Sequence, residues 1–232
     1  RRFSQPPRLL IFHSRHTLLM KTPALHKSVP LLLLCALAGF GLFTRPTFGA
    51  EDAAKSAATA HAGAHEGMGL KKELIEGITP ADFLRLSDKP KTVRITLVAT
   101  FSPNNYGMNF NGYSYGKAVY RIPVGWSVEA TFINPSPVPH SAVVVDKDQV
   151  KKLQVGEPAF KGGATPNATT GISTNKASFQ FTADEAGDYA FACGFPSHAL
   201  AGHWVALEVS ASLSAPTLQL GDAAPVQAAP AK

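Results

Sequence analysis

Cys193, His198 and His203 follow one another with four residues between each, in the segment GDYAFACGFPSHALAGHW at 187–204. A thiolate is a soft donor, and with imidazoles close by it makes a copper-type set. His140 stands 53 residues before Cys193, directly after Pro139, so it has to reach the others from a different strand. Structural zinc favours several cysteines in paired spacing, and a binuclear copper centre needs a second cysteine in the loop. The segment has neither. The bland alternatives are a buried core thiol at Cys193, loop histidines at His140 and His198, and a bystander at His203. Four such residues at these offsets favour a single copper ion over that combination.

Elements that can hold these donors are written in period-two alternation. In the strand Tyr189–Ala192, continued to Cys193, the residues Tyr189, Phe191 and Cys193 share one face, which turns the thiol inward. Val93, Ile95, Leu97, Ala99 and Phe101 alternate in the same way, as do Trp126, Val128, Ala130 and Phe132, and Ala177, Phe179 and Phe181. Ala118–Ile122, Ala142–Val145 and the run Val205, Leu207, Val209 add three more strands. Residues 146–175 read as a long polar connection. Seven or eight short strands separated by turn residues predict an all-β Greek-key β-sandwich or barrel. Gly187-x-Tyr189 after Asp184 suits a tyrosine corner. Thr79 as N-cap, Pro80 at the first position and Asp82 in the first turn predict a short helix running through Phe83, Leu84 and Leu86. Another short helix is expected at Leu70–Glu76.

The formal charge of +6 does not belong to this domain. Residues 1–49 hold Arg1, Arg2, Arg8, Arg15, Lys21, Lys27 and Arg45 and no acid. The rest has 15 basic and 16 acidic side chains, a net of −1. The basic excess is therefore no argument for nucleic-acid binding. Met20, Lys21 and Lys27, the apolar run Val29–Phe43 and a small-residue end read as a secretory signal or membrane anchor at 20–49. Residues 1–19 read as upstream translated sequence. An Ala-rich tether with short helices follows at 50–91, in which His61 and His65 are taken as spacer residues. The strand domain is placed at 92–211 and a disordered Ala/Pro tail at 212–232. Cys35 lies in the signal, so Cys193 is the one cysteine expected to remain after export, with no partner for a disulfide.

Pro139-His140, then G-x-Y-x-F-x-C from Gly187 to Cys193, then His198, resemble the cupredoxins, the family of blue copper proteins. Within them the chain is similar to the sulfocyanins, through the Asn/Gly-rich MNFNGYSYG at 108–116 and CGFPSHALAGHW at 193–204. The resemblance implies a non-enzymatic, periplasmic or membrane-tethered monomer holding one Cu(I)/Cu(II) ion. It also implies transfer of one electron between respiratory-chain partners, a cytochrome or a terminal oxidase. His140, Cys193 and His198 match the equatorial ligands. The family expects Met where this chain has His203, and an imidazole there is a stronger donor that should favour Cu(II). Ser141 stands where many cupredoxins have an Asn bracing the ligand loop, which predicts a weaker brace. An enzyme with an open copper position and a copper chaperone are the rival classes. The scarcity of Met after residue 49 (Met68 and Met108) speaks against the chaperone.

Overall fold

The computed structural model describes residues 69–231; the signal segment and the His61/His65 spacer lie outside them. Each alternating run becomes a strand, and the strands fall into two sheets. One has the order β1-β2-β4-β6 and the other β10-β9-β3-β8-β7-β5. In chain order these are Leu84–Leu86, Thr92–Val98, Ala118–Pro123, Trp126–Asn134, Val143–Asp146, Asn175–Ala183, Gly187–Ala192, Trp204–Ser210, Thr217–Leu220 and Val226–Gln227. Between β2 and β7 the chain changes sheet at every step. This crossed connectivity makes β2 parallel to β4 and β3 parallel to β8. Among the described residues the helical elements are short 3-10 segments of three to five residues, and none is long and apolar enough to cross a membrane. The molecule is the expected all-β sandwich.

The inward faces are the ones the alternation assigns. Val93, Ile95 and Leu97 of β2, Val128, Ala130 and Phe132 of β4, and Phe179 and Phe181 of β6 pack on Ala118, Tyr120 and Ile122 of β3 and on Phe191, Val205, Leu207 and Val209 of the other sheet. Tyr189 closes its corner by donating its hydroxyl to the Glu185 carbonyl at 3.3 Å. Cys193 extends this core at the end of β7, fully buried. Ala190 and Ala192, pointing the other way, join a smaller cluster with Val143, Val145 and Ala199 beneath the 146–175 connection.

Three expectations are corrected. The helix through Leu86 stops after one 3-10 turn, Pro80–Asp82, although its capping box forms. Leu84–Leu86 then pairs antiparallel with Val93–Ile95, because an exposed edge of β2 offers more backbone hydrogen bonds than a lone helical turn. The domain consequently starts before residue 92. The expected disordered tail at 212–232 is ordered across its described residues: Thr217–Leu220 pairs with Ala118–Arg121 of β3, and Val226–Gln227 folds back on it. Leu218 is buried there in the main core, reason enough for an Ala/Pro-rich end to order. Leu218→Ala should therefore lower the unfolding free energy by about 2–4 kcal/mol in urea titration. No change would mean that β9 is not docked in solution.

Candidate metal centre

Hairpin register sets three of the four candidate donors. β7 and β8 pair antiparallel with Ala192 opposite Trp204. One step further, the Cys193 amide donates to the His203 carbonyl at 2.9 Å. The loop between them brings His198 back over the site, and its carbonyl accepts the His203 amide at 2.9 Å. His140 arrives from the far side, at the entry to β5, where it exchanges two backbone hydrogen bonds with Ile172 (3.1 and 2.8 Å). That bridge needs glycine at 171: a Cβ there would lie 2.7 Å from the His140 carbonyl oxygen, and φ is +69°.

The structure brings all four predicted residues together, with one donor atom of each within 4.8 Å of the others. His140 Nδ1 is 3.2 Å from His198 Nδ1. Cys193 Sγ is 3.9 Å from His140 Nδ1 and 3.5 Å from His198 Nδ1. The point equidistant from these three atoms is about 2.1 Å from each, close to a first-row metal's bonds to nitrogen and sulfur. His203 is fully buried, and neither of its ring nitrogens has a hydrogen-bond partner. A buried, unsatisfied polar atom costs about 1–3 kcal/mol, so a residue holding two of them there fits a metal better than an inert core. The donor set of one thiolate and imidazoles fits copper.

Residues 80–219 match the sulfocyanin (SoxE) domain family. A sulfocyanin of Sulfolobus acidocaldarius is 34% identical over 142 residues, 56% of this chain and 69% of its own length. The chain belongs to the sulfocyanin family. Similar solved structures include auracyanin A, a blue copper protein of Chloroflexus aurantiacus, at 20% identity over 51% of this chain and 98% of that one (TM-score 0.35). Rusticyanin of Thiobacillus ferrooxidans is 22% identical over 56% of this chain and 87% of its own, also at a TM-score of 0.35. As a sulfocyanin the protein is a cupredoxin, a copper electron-transfer protein that holds one copper ion.

The surroundings of the four donors are drier and better braced than the sequence suggests. Burial, with His198 nearby, pushes His140 down to about 3. His203 lies well below the ordinary imidazole range through burial and the two neighbouring rings, although the Asn109 backbone, short of hydrogen-bond geometry, leans the other way. His198, half-buried, is lowered by burial. Its imidazole, like the other two, is neutral with a lone pair to give. Burial pushes the Cys193 thiol up to about 11, against hydrogen bonds from Ser141 and Phe195. Metal binding there must release the thiol proton.

Ser141 is not the weak brace expected. Its hydroxyl donates to the Ala168 carbonyl at 2.5 Å and accepts the Gly194 amide at 2.9 Å. It thereby ties the ligand loop to the 146–175 connection, with its oxygen 4.0 Å from the sulfur. The loop at 102–107 and the Asn/Gly-rich segment after it brace the other end. Asn105 donates to the Met108 and Ala201 carbonyls, both at 2.8 Å. The Tyr115 amide donates to the Gly202 carbonyl at 2.8 Å. Phe110 packs on the His203 ring with centroids 4.3 Å apart. Gly202 is obligatory, since a Cβ would meet the Tyr115 ring at 2.4 Å. From sequence alone, 108–116 stands out as a family signature and not in this role. The excess of Asn and Gly, able to bond backbone and take left-handed conformations, was the available signal.

These lowered histidines make metal-free protein acid-labile. Their folded pKa values lie below the unfolded value near 6.5, so the unfolded chain binds protons first as pH falls. The stability of metal-free protein is therefore unaffected by them above about pH 6.5 and declines as pH falls below it, chiefly through His140 and His203. Urea unfolding of metal-free protein between about pH 6.5 and about pH 5 should show this fall. A flat profile would contradict it.

Proposed function

We propose that Cys193, His140 and His198 form the equatorial ligand set and that His203 is the axial ligand. In this reading the protein moves single electrons between respiratory-chain proteins, a cytochrome or a terminal oxidase, and is not an enzyme. The observation that carries the reading is how exposure is distributed. His140, Cys193 and His203 are buried at 3%, 0% and 0%, whereas His198 is only half-buried. On the axial side His203 is fully buried with Phe110 packed on its ring, which speaks against a small substrate binding there. Electrons need only a short, covered approach, and the His198 edge supplies it. Copper bound here supplies a one-electron Cu(II)/Cu(I) couple. The residues supply a donor set already assembled, tied at both ends by Ser141 and by Asn105, so that little has to move when the charge changes.

The His198 edge is framed by Phe195, Pro196 and Leu200, half-buried or exposed, with the Phe195 ring 4.6 Å from His198. Ala199, in the same loop, is buried in the smaller core cluster instead. This apolar rim is the proposed contact with redox partners. The reading also includes export, supported by the Val29–Phe43 run behind Lys21 and Lys27, and a monomeric carrier either released outside the cytoplasmic membrane or held there by that run.

Titration with Cu(II), followed by optical and EPR spectra, tests the assignment. One equivalent should develop a thiolate-to-copper charge-transfer band that Cys193→Ser abolishes. His203→Met should raise the reduction potential, since a thioether stabilises Cu(II) less than an imidazole does. A potential unmoved by His203→Met would remove His203 from the ligand set. With a net charge of −1 beyond residue 49, electron-transfer rates should depend only weakly on ionic strength. A steep fall with salt would point to charged docking instead.

A further inference from the structure

Thr100, immediately after β2 and the Ala99 bridge, has φ +53° and is 2% exposed. A β-branched residue in the left-handed region crowds its own backbone, and such a conformation persists only where its surroundings impose it. Here the imposing bonds come from both sides. The Ala99 amide donates to the Ile133 carbonyl at 2.9 Å, and the Thr100 amide donates to the Asn109 carbonyl at 3.0 Å. The result is a hydroxyl aimed into the buried end of the sandwich, with Oγ1 3.3 Å from His140 Nε2. The opposite nitrogen of that ring, Nδ1, is the one that faces Cys193 and His198.

We propose that Thr100 is a positioning residue for the metal centre, holding the His140 ring with Nδ1 turned to the site. A neutral imidazole that gives its Nδ1 lone pair to a metal carries its proton on Nε2, and that N–H is buried. The Thr100 oxygen accepts it. A hydroxyl both donates and accepts, so the same contact also serves the other tautomer when Nδ1 holds the proton in metal-free protein. No other donor or acceptor touches Nε2 among the described residues. The strained backbone is thus the means of presenting a hydroxyl to Nε2. This rests on His140 being a ligand.

The test uses the full chain and four variants, Thr100→Val, Thr100→Ser, Thr100→Gly and His140→Ala. Copper affinity is measured by competition titration, and the His140 ring nitrogens of metal-free protein by nitrogen-15 NMR. Thr100→Val keeps the shape and removes the hydroxyl, and should weaken copper binding about 10–100-fold, with Thr100→Ser staying within about threefold of the parent. The His140 nitrogen shifts should move in Thr100→Val and stay in place in Thr100→Ser. Thr100→Gly relieves the left-handed strain while losing the hydroxyl; it should fold at least as readily and bind as weakly as Thr100→Val, which covers the case in which the valine variant does not fold. Parental affinity and unmoved shifts in Thr100→Val or Thr100→Gly would overturn the proposal, and so would an equal loss in Thr100→Ser. If His140→Ala abolishes the charge-transfer band while those variants bind normally, this inference alone fails. If His140→Ala binds as the parent does, the ligand assignment fails and takes the inference with it.

Discussion

The antiparallel register of β7 on β8 is the constraint on which the site depends. With Ala192 opposite Trp204, Cys193 and His203 must sit across from each other, joined by the Cys193 amide to the His203 carbonyl. A slip of one residue would turn Tyr189, Phe191 and Cys193 to the outer face and bring Ala190 and Ala192 into the core. Burial of the large aromatic side chains forbids that slip. Folding energy from Phe191 and Tyr189, packed against Tyr120, Phe160 and Phe181, is in effect what aims the sulfur. The ligand loop then has one task, to return His198 to the point where Cys193 and His140 already converge.

Dry surroundings do the rest of the selection. Water is excluded from His140, Cys193 and His203, and burial keeps the imidazoles neutral and the thiol protonated at neutral pH. An uncharged donor cluster can be carried inside a hydrophobic core, whereas one holding several charges could not. His203 is the revealing member. His140 has Thr100 and His198 as partners, and Cys193 has Ser141, but His203 has none for either nitrogen. A fold retaining so poorly satisfied a side chain beside a thiol and two imidazoles is organised for a bound cation.

Much of this was legible in the sequence because it rests on local pattern. Period-two alternation in β2, β4, β6 and β8 assigns the buried face, and the Gly187-x-Tyr189 corner and the four-residue gaps between Cys193, His198 and His203 follow from strand and loop lengths. What escaped depends on partners distant in the chain. Leu84–Leu86 carries a well-formed helix start and still becomes a strand, because β2 has a free edge beside it. Thr217–Leu220 looks like part of a disordered tail until β3 and the core pocket for Leu218 are known. Ser141 appears a poor substitute for Asn when only its size is considered. Its effect comes from Ala168 and Gly194, which no local pattern places next to it.

Backbone strain is concentrated around the site without being confined to it, since Lys91, Asn167 and Thr174 also have positive φ. Thr100, Asn105, Tyr106, Asn111 and Tyr115 all have positive φ, as does Ser197 inside the ligand loop. Regular strands elsewhere carry no such burden. The conformations lie in the segment that supplies Asn105 to Ala201, the Tyr115 amide to Gly202 and Phe110 to the His203 ring. A loop that could relax would avoid them, so the neighbouring hydrogen bonds must outweigh the strain. Buried Asn109 and Asn111 provide several of these, Asn109 to Ser102, Asn104 and Gly112, Asn111 to Thr96, Val98 and Tyr120. The outcome is a stiff clamp on the His203 side, opposite the Ser141 tie on the Cys193 side. An electron carrier gains from such stiffness, because donor atoms that cannot follow a change of charge keep the reorganisation between its two states small.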